Sequence, residues 1–225
     1  MLFGVSCVPF QRDWKVAILG VVEARISIGL LGAGAHAREL EKMFAASHQV
    51  VFNAVGAGIG QLTSGEIDIA LHSAPPHHIP VVAAVGNPAT KQRLVESWPG
   101  DTFVNLLSQL SIVREEFNSF GHGVIVADGV TLTSGISIAD HVSINIGATL
   151  SHGVVVGEFS TISPSASIGG EVVVGKNCFI GIGATIIDHV TLCDGVTIGA
   201  GAVVISSIEV AGTYVGVPAR RVSSG

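Results

Sequence analysis

A chain of 225 residues with a formal charge of -6 and only 12% charged residues offers no basic face for nucleic acid. Its hydrophobic fraction of 48% comes with 29 glycines and 5% aromatics, so its core is built from small and branched side chains rather than rings. The cysteines Cys7, Cys178 and Cys193 have no CxxC or similar metal spacing, which predicts a reducing, cytoplasmic setting, and the apolar stretch Val16 to Val22 is too short to span a bilayer.

Residues 1–25 form an extension with Phe3, Phe10 and Trp14 but no motif that assigns it a role. Ile26 to Leu31 then reads as a buried strand running into Gly32-Ala33-Gly34-Ala35-His36-Ala37, followed by a helix over Arg38 to Ala46. Strand, glycine turn and helix in that order suit a phosphate: glycine lets the backbone approach a diphosphate, and the N–H groups opening the helix point at it. The same turn would also serve a helix that packs tightly on its sheet. Val50 to Phe52, Ile67 to Leu71 and Val81 to Val85 read as further strands. The last leads through Gly86-Asn87-Pro88 into a helix over Ala89 to Ser97, with Lys91, Gln92 and Arg93 on its early turns. Such alternation predicts a small parallel sheet. Thr102 to Ile112 carries the chain across to the second half.

That half is periodic. Fourteen aliphatic residues, from Val126, Leu132 and Ile138 to Ile198 and Val204, recur at an unbroken spacing of six, with a second small or aliphatic residue two positions before each. Six fits neither the 3.6 of a helix nor a long strand; it fits short strands separated by corners and stacked into a solenoid. Small or turn-forming residues after the anchors, such as Asn145, Gly157, Gly169, Gly181 and Gly199, mark the corners. With three hexads per coil, as in hexapeptide-repeat proteins, Gly121 to Ile205 gives four to five coils. The repeat specifies a rod and no reaction. Cys178 falls on an inward position and reads as a small core residue.

A glycine-loop α/β domain followed by such a solenoid resembles the hexapeptide-repeat sugar acetyltransferases, which include sialic acid O-acetyltransferases and the nucleotide-aminosugar N-acetyltransferases of bacillosamine type. The resemblance covers residues 26–222. It rests on Gly32 to Ala37, on Asn145 to His152, on Val174 to Gly181 and on the closing Tyr214-Val215-Gly216-Val217-Pro218-Ala219-Arg220. It implies a Rossmann-like domain over 26–117 and a left-handed parallel β-helix over 118–225. It also implies a homotrimer, with acetyl-CoA as co-substrate in the groove between neighbouring β-helices and a sugar nucleotide on the N-terminal domain. No metal is implied.

The resemblance makes His152 the catalytic residue, and the chemistry agrees, since attack of an amine or hydroxyl on a thioester needs a proton acceptor that titrates near working pH. It places Asn145 near the acetyl group and the N–H of Gly170 at the thioester oxygen. Gly181, Gly199 and Gly201 would let a pantetheine arm pass close to backbone, and Arg220 would meet a CoA phosphate. Gly32, Gly34, Ala35, His36 and Asn53 fall on the acceptor side. The bland reading of Asn145 and the glycines is that they are ordinary corner residues.

Three positions depart from the family pattern. Gly153 stands where an acidic residue usually follows the histidine, leaving Asp128, Asp140 or Glu158, from the same or another subunit, as candidates to orient the ring; Thr161 stands where a second histidine is common; and Phe52-Asn53-Ala54 lacks the acidic strand end that often holds a nucleotide. These departures keep two alternatives open: an acyltransferase for a non-nucleotide acceptor, and a scaffold that has lost activity. A trimeric zinc hydrolase resembling the γ-class carbonic anhydrases needs two histidines near one corner, which His141, His152 and His189, 11 and 37 residues apart, do not supply. His141 and His189 read as polar corner residues.

Overall fold

A computed structural model describes residues 25–55, 66–68, 78–113 and 118–222; residues 1–24 of the extension, with Cys7, and the Ile69 to Leu71 end of the expected third strand lie outside the described residues. The first part contains β1 (Ile26–Leu31), α1 (Ala35–Met43), β2 (His48–Val55), β3 (Glu66–Asp68), β4 (Val81–Ala83) and α2 (Pro88–Ser97). The strands form one parallel sheet in the order β3-β2-β1-β4. The chain leaves β1 to one side and later returns to the other, so a crevice opens at the carboxyl ends of β1 and β4.

Helix α1 starts and stops three residues earlier than the sequence pattern suggests. Extended Gly34 serves as its N-cap, and the Ser47 N–H closes the far end on the Phe44 carbonyl at 3.1 Å. Its buried face, Ala37 and Leu40 with Phe44, packs on one side of the sheet against Ile28, Leu30 and Val82. Helix α2 is capped by Asn87, whose Oδ1 accepts from Thr90 N at 2.9 Å, and it opens on Pro88, whose missing N–H costs nothing at that position. It covers the other side of the sheet through Leu94 and Trp98.

From Leu106 onward the chain winds as a left-handed parallel β-helix with three faces. The first contains Leu106, Ile125, Ser143, Thr161, Phe179 and Thr197 as its outward residues, the second Ile112, Thr131, Thr149, Ser167, Thr185 and Val203, and the third Ser119, Ser137, Val155, Val173 and Thr191. Each strand pairs with the strand one coil on, as in Ser143 with Thr161 and Ile144 with Ile162. Leu106–Leu107 and Ile112–Val113 join the first and second faces ahead of the periodic run. All fourteen anchors point inward, none more than 3% exposed, and Cys178 is wholly buried among them. Burial at roughly 1.5–3 kcal/mol per large aliphatic side chain is what holds sides only two residues long in register.

The two parts share a core. Leu106 and Ile125, outward on the first face, pack with Ile28, Leu40 and Phe44. The α/β domain is thereby seated on the outer side of the first face. Among the described residues, no helix is long and apolar enough to cross a membrane.

Candidate active site

The corners of the β-helix stack into columns, and each column has its own chemistry. Between the second and third faces, successive coils place Ser134, His152, Gly170, Asp188 and Ser206 above one another, with Gly135, Gly153, Glu171, His189 and Ser207 beside them. Backbone bonds run up this corner from Gly153 N to Ser134 O, Glu171 N to His152 O and His189 N to Gly170 O, at 2.8 to 3.0 Å.

His152 is exposed, and its ring abuts Gly170: a Cβ added to Gly170 would sit 2.6 Å from Cε1 and 2.7 Å from Nε2. The coil repeat thus brings His152 and Gly170 together. Gly170 N donates to no group among the described residues, although a backbone N–H buried without a partner is rare. Gly153 adopts φ +69, and Glu171 takes the room it leaves: Glu171 Cγ is 3.2 Å from the point where a Cβ at 153 would lie. The Glu171 carboxylate is 3.2 Å from His189 Nδ1, while Asp188 Oδ2 lies 3.8 Å from His189 Nε2.

Within one chain, the acids suggested from sequence for His152 stand at other corners. Asp128 accepts from Ser108 at the corner between the first and second faces. Asp140 accepts from His122 N at 2.7 Å, and Glu158 pairs with Lys176 at 3.1 Å, both between the third and first faces. In the same chain the carboxylates of the His152 corner are Glu171 and Asp188. A one-letter string does not reveal this, because the neighbour of residue 153 in space is eighteen positions away in sequence.

Asn145 is on the corner between the first and second faces, where its Nδ2 donates to Ile162 O at 2.9 Å. Gly181 and Gly199 follow on the same corner, with Gly201 two residues beyond. Within one chain this group and His152 lie at opposite ends of the second face. Stacking alone demands glycine at Gly181 and Gly199, since a Cβ would come within 2.6 Å of Ile198 O and 2.7 Å of Val215 Cγ1 respectively; Gly201 has φ +66. Their bare backbone is also what an arm of a ligand could follow. Arg220 borders a cleft of about 230 Å³ at the end of the β-helix, together with Ser206, Ser207, Tyr214 and Arg221. Ser206 is three coils above His152, about 14 Å at ordinary strand spacing.

At the crevice, Gly32 has φ +124 and touches the neighbouring strand end, where a Cβ would lie 2.8 Å from Val85 Cγ2. Gly34 and Ala35 open α1 and are exposed, with open space around Gly34. His36 Nδ1 approaches Glu39 at 3.5 Å, while its Nε2 and the Oδ1 of Asn53 are buried without partners among the described residues. Burial pushes the His36 imidazole below its ordinary pKa; Glu39 opposes the shift and Lys91 adds to it.

His141 is not a solvated corner residue. It is 6% exposed, stacked on Phe159 at 5.0 Å and met edge-on by Phe103 at 4.6 Å, and burial lowers its pKa. The polar residue that sequence reasoning passed over is Lys91. It is fully buried, and its Nζ lies 2.9 to 3.2 Å from the carbonyls of His141 and Ser160 and the hydroxyls of Ser143 and Thr161. The signal was present: Lys91 shares a helix face with Leu94 and Trp98. Among the described residues no group of three or more His, Cys, Asp or Glu is placed to hold a metal.

The bacterial transferase hexapeptide family (six repeats) matches residues 171–206. No curated protein sequence matches the chain. Among solved structures, the acetyltransferase domain of PglB from Neisseria gonorrhoeae FA1090, in complex with acetyl coenzyme A, is similar at a TM-score of 0.76 and 25% identity, over 88% of this chain and 100% of that one. PerB from Caulobacter crescentus, in complex with CoA and GDP-perosamine, is similar at a TM-score of 0.77 and 25% identity, over 88% of this chain and 97% of that one. AntD, an N-acyltransferase from Bacillus cereus, in complex with dTDP and 3-hydroxybutyryl-CoA, shares the fold at 21% identity and a TM-score of 0.50, over 54% of this chain and 83% of that one. The hexapeptide match and a fold held in common through both domains make this chain an acyltransferase and support its likeness to the hexapeptide-repeat sugar acetyltransferases.

Proposed function

We propose that the protein transfers an acetyl group from acetyl-CoA to the amino group of a nucleotide-linked sugar, with His152 as general base. The observation that carries this reading is an exposed imidazole laid on a glycine whose N–H is unspent, in a fold shared with PerB in complex with CoA and GDP-perosamine.

Acetyl-CoA supplies an activated thioester. His152 accepts the proton of the amine as its nitrogen attacks the carbonyl carbon, and returns it to the departing sulfur. The Gly170 N–H faces the carbonyl oxygen as negative charge gathers there. Glu171, seated over Gly153, and Asp188 favour the imidazolium that forms between those two steps. The donor follows the corner upward from His152 to the terminal cleft, where Arg220 and Arg221 meet its phosphates. The acceptor lies in the crevice, where Gly32 brings backbone close and His36 Nε2 and Asn53 Oδ1 supply polar atoms with no partner among the described residues. An amine is the easier nucleophile for a base whose carboxylate comes from the next coil, which favours N- over O-acetylation.

A homotrimer completes the site in this reading. Val155 at 40% and Val173 at 37% exposure form an apolar stripe on the third face, and Ile146 and Ile182 stand out at the Asn145 corner at 41% and 60%. Covering these surfaces in a closed ring would bring the Asn145 and Gly181 corner of one chain to the His152 corner of the next. Asn53 at the carboxyl end of β2, in place of an acid, favours a second reading in which the acceptor has no nucleotide.

The test is calorimetric titration with acetyl-CoA, alone and with UDP-, GDP- and dTDP-linked aminosugars, beside an assay of thiol release. One aminosugar should tighten donor binding and drive thiol release, and His152→Ala should abolish release while still binding acetyl-CoA. Near-normal turnover in that variant removes His152 from the role.

A further inference from the structure

Lys91 connects two parts of the molecule that the proposed reaction must hold in register. It projects from the first turn of α2, which follows β4 and borders the crevice, and ends on the outer side of the first face of the β-helix. Its partners there are not scattered. His141 O and Ser143 Oγ, both at 3.0 Å, stand at the start of one coil, and Ser160 O at 3.2 Å and Thr161 Oγ1 at 2.9 Å stand where that coil ends and the next begins. The coil between them, 143–160, carries Asn145 and His152. One amino group therefore ties α2 to both ends of the catalytic coil.

Stability alone is a poor account of this arrangement. Among the described residues no carboxylate lies within 4 Å of Lys91, and a cation in the first turn of a helix opposes the helix dipole. A buried charge without a counter-ion costs free energy, and an apolar lining of similar volume is commonly neutral or stabilising. What an apolar lining lacks is direction. Two carbonyls and two hydroxyls define a single point along the prism axis, and the hydroxyls can either accept from the amino group or donate to it, so the contact survives in both protonation states. Burial, which lowers the Lys91 pKa to about 7, accords with such a shell.

We propose that Lys91 is a positioning residue for acetyl transfer: it sets the height of the acceptor-holding domain along the β-helix, level with the coil of Asn145 and His152. This rests on the reading of that domain and of His152 given above. Lys91 itself touches no substrate. Misplacement of bound groups by about 1 Å costs on the order of 100-fold in rate, so the effect belongs in kcat for the acceptor and not in donor binding.

The test compares wild type, Lys91→Met, and the triple variant Lys91→Met, Ser143→Ala, Thr161→Val, in which the shell is made apolar as well. The single variant is expected to lose about 100-fold in kcat with the aminosugar that wild type accepts, with its affinity for acetyl-CoA within twofold. The triple variant should regain or exceed wild-type melting temperature while kcat stays low. Recovery of kcat together with stability would make Lys91 a stabiliser only, and parallel loss of donor binding would mean that the β-helix itself had been damaged; either result overturns the proposal. If wild type turns over none of the aminosugars, the activity reading fails, and positioning is then read without turnover: amide hydrogen exchange in α2 and in 143–161 should be faster in the triple variant at equal global stability. Unchanged exchange there would overturn the proposal.

Discussion

The ring of His152 lies on the backbone of Gly170, one coil above it, so closely that a methyl group on Gly170 would stand 2.6 Å from Cε1. The histidine is exposed, and the glycine beside it has an N–H that no group among the described residues accepts. In the proposed reaction, base and oxyanion donor are therefore fixed by one contact between neighbouring coils. The ladder that sets their spacing is the same one that holds the rod together, with Thr149 paired to Ser167 and Leu150 to Ile168.

Gly170→Ala tests that contact. The added Cβ must displace the imidazole and leaves the inward core untouched, so the fold should persist with a melting temperature within a few degrees of wild type, while acetyl transfer falls by about 10- to 100-fold, as for a misplaced base. Full activity in Gly170→Ala would show that the ring works in another position.

Glu171→Gln asks whether the carboxylate over Gly153 supports the base. Removing a negative charge from the His152 corner disfavours the imidazolium formed during transfer, and an exposed carboxylate acts through water, so about a three- to tenfold fall in kcat is expected with acetyl-CoA affinity unchanged. Steady-state kinetics at low and high salt would check it. The loss should shrink as salt rises, and a salt-independent loss would point to a packing effect instead.

Arg220→Ala should weaken CoA binding about 10-fold or more, the usual worth of a charge-assisted hydrogen bond to phosphate. A pantetheine thioester, which lacks the nucleotide phosphates, should bind wild type and variant alike. Equal affinity of both proteins for CoA itself would move the phosphate site away from the terminal cleft.

The rod was legible because its cause is local: an aliphatic anchor every six residues can be buried only by coiling, and all fourteen are inside. The βα turn was legible for the same reason, since Gly32 occupies a backbone region open chiefly to glycine. What the string concealed is contact between distant residues. Lys91 reaches hydroxyls 52 and 70 positions away, and Glu171 fills the space of a side chain missing at Gly153. Its position in the hexad makes His141 a corner residue, whereas two aromatics, Phe103 from before the repeat and Phe159 from the next coil, enclose it. Hexad position determines which way a side chain leaves the coil but not what the other domain places over it.

The buried bases predict how stability depends on pH. Burial lowers the pKa of His36, His48 and His141 below 6.5 and that of Lys91 from 10.5 to about 7. In each case the unfolded chain binds the proton more readily than the folded one. Below pH 6.5 the histidines therefore make stability fall as pH drops through their folded values, and between about pH 7 and 10.5 Lys91 makes it rise with pH. One proton difference corresponds to at most about 1.4 kcal/mol per pH unit. Cys178 works the other way above pH 9, because burial raises its thiol to about 11 and the unfolded chain ionises first. Chemical denaturation of wild type should accordingly show stability climbing between pH 7 and 9, whereas Lys91→Met should be flat across that interval. The two curves should keep the same acid limb, which belongs to the histidines. A wild-type curve as flat as the variant's between pH 7 and 9 would mean that Lys91 keeps its proton inside the folded protein.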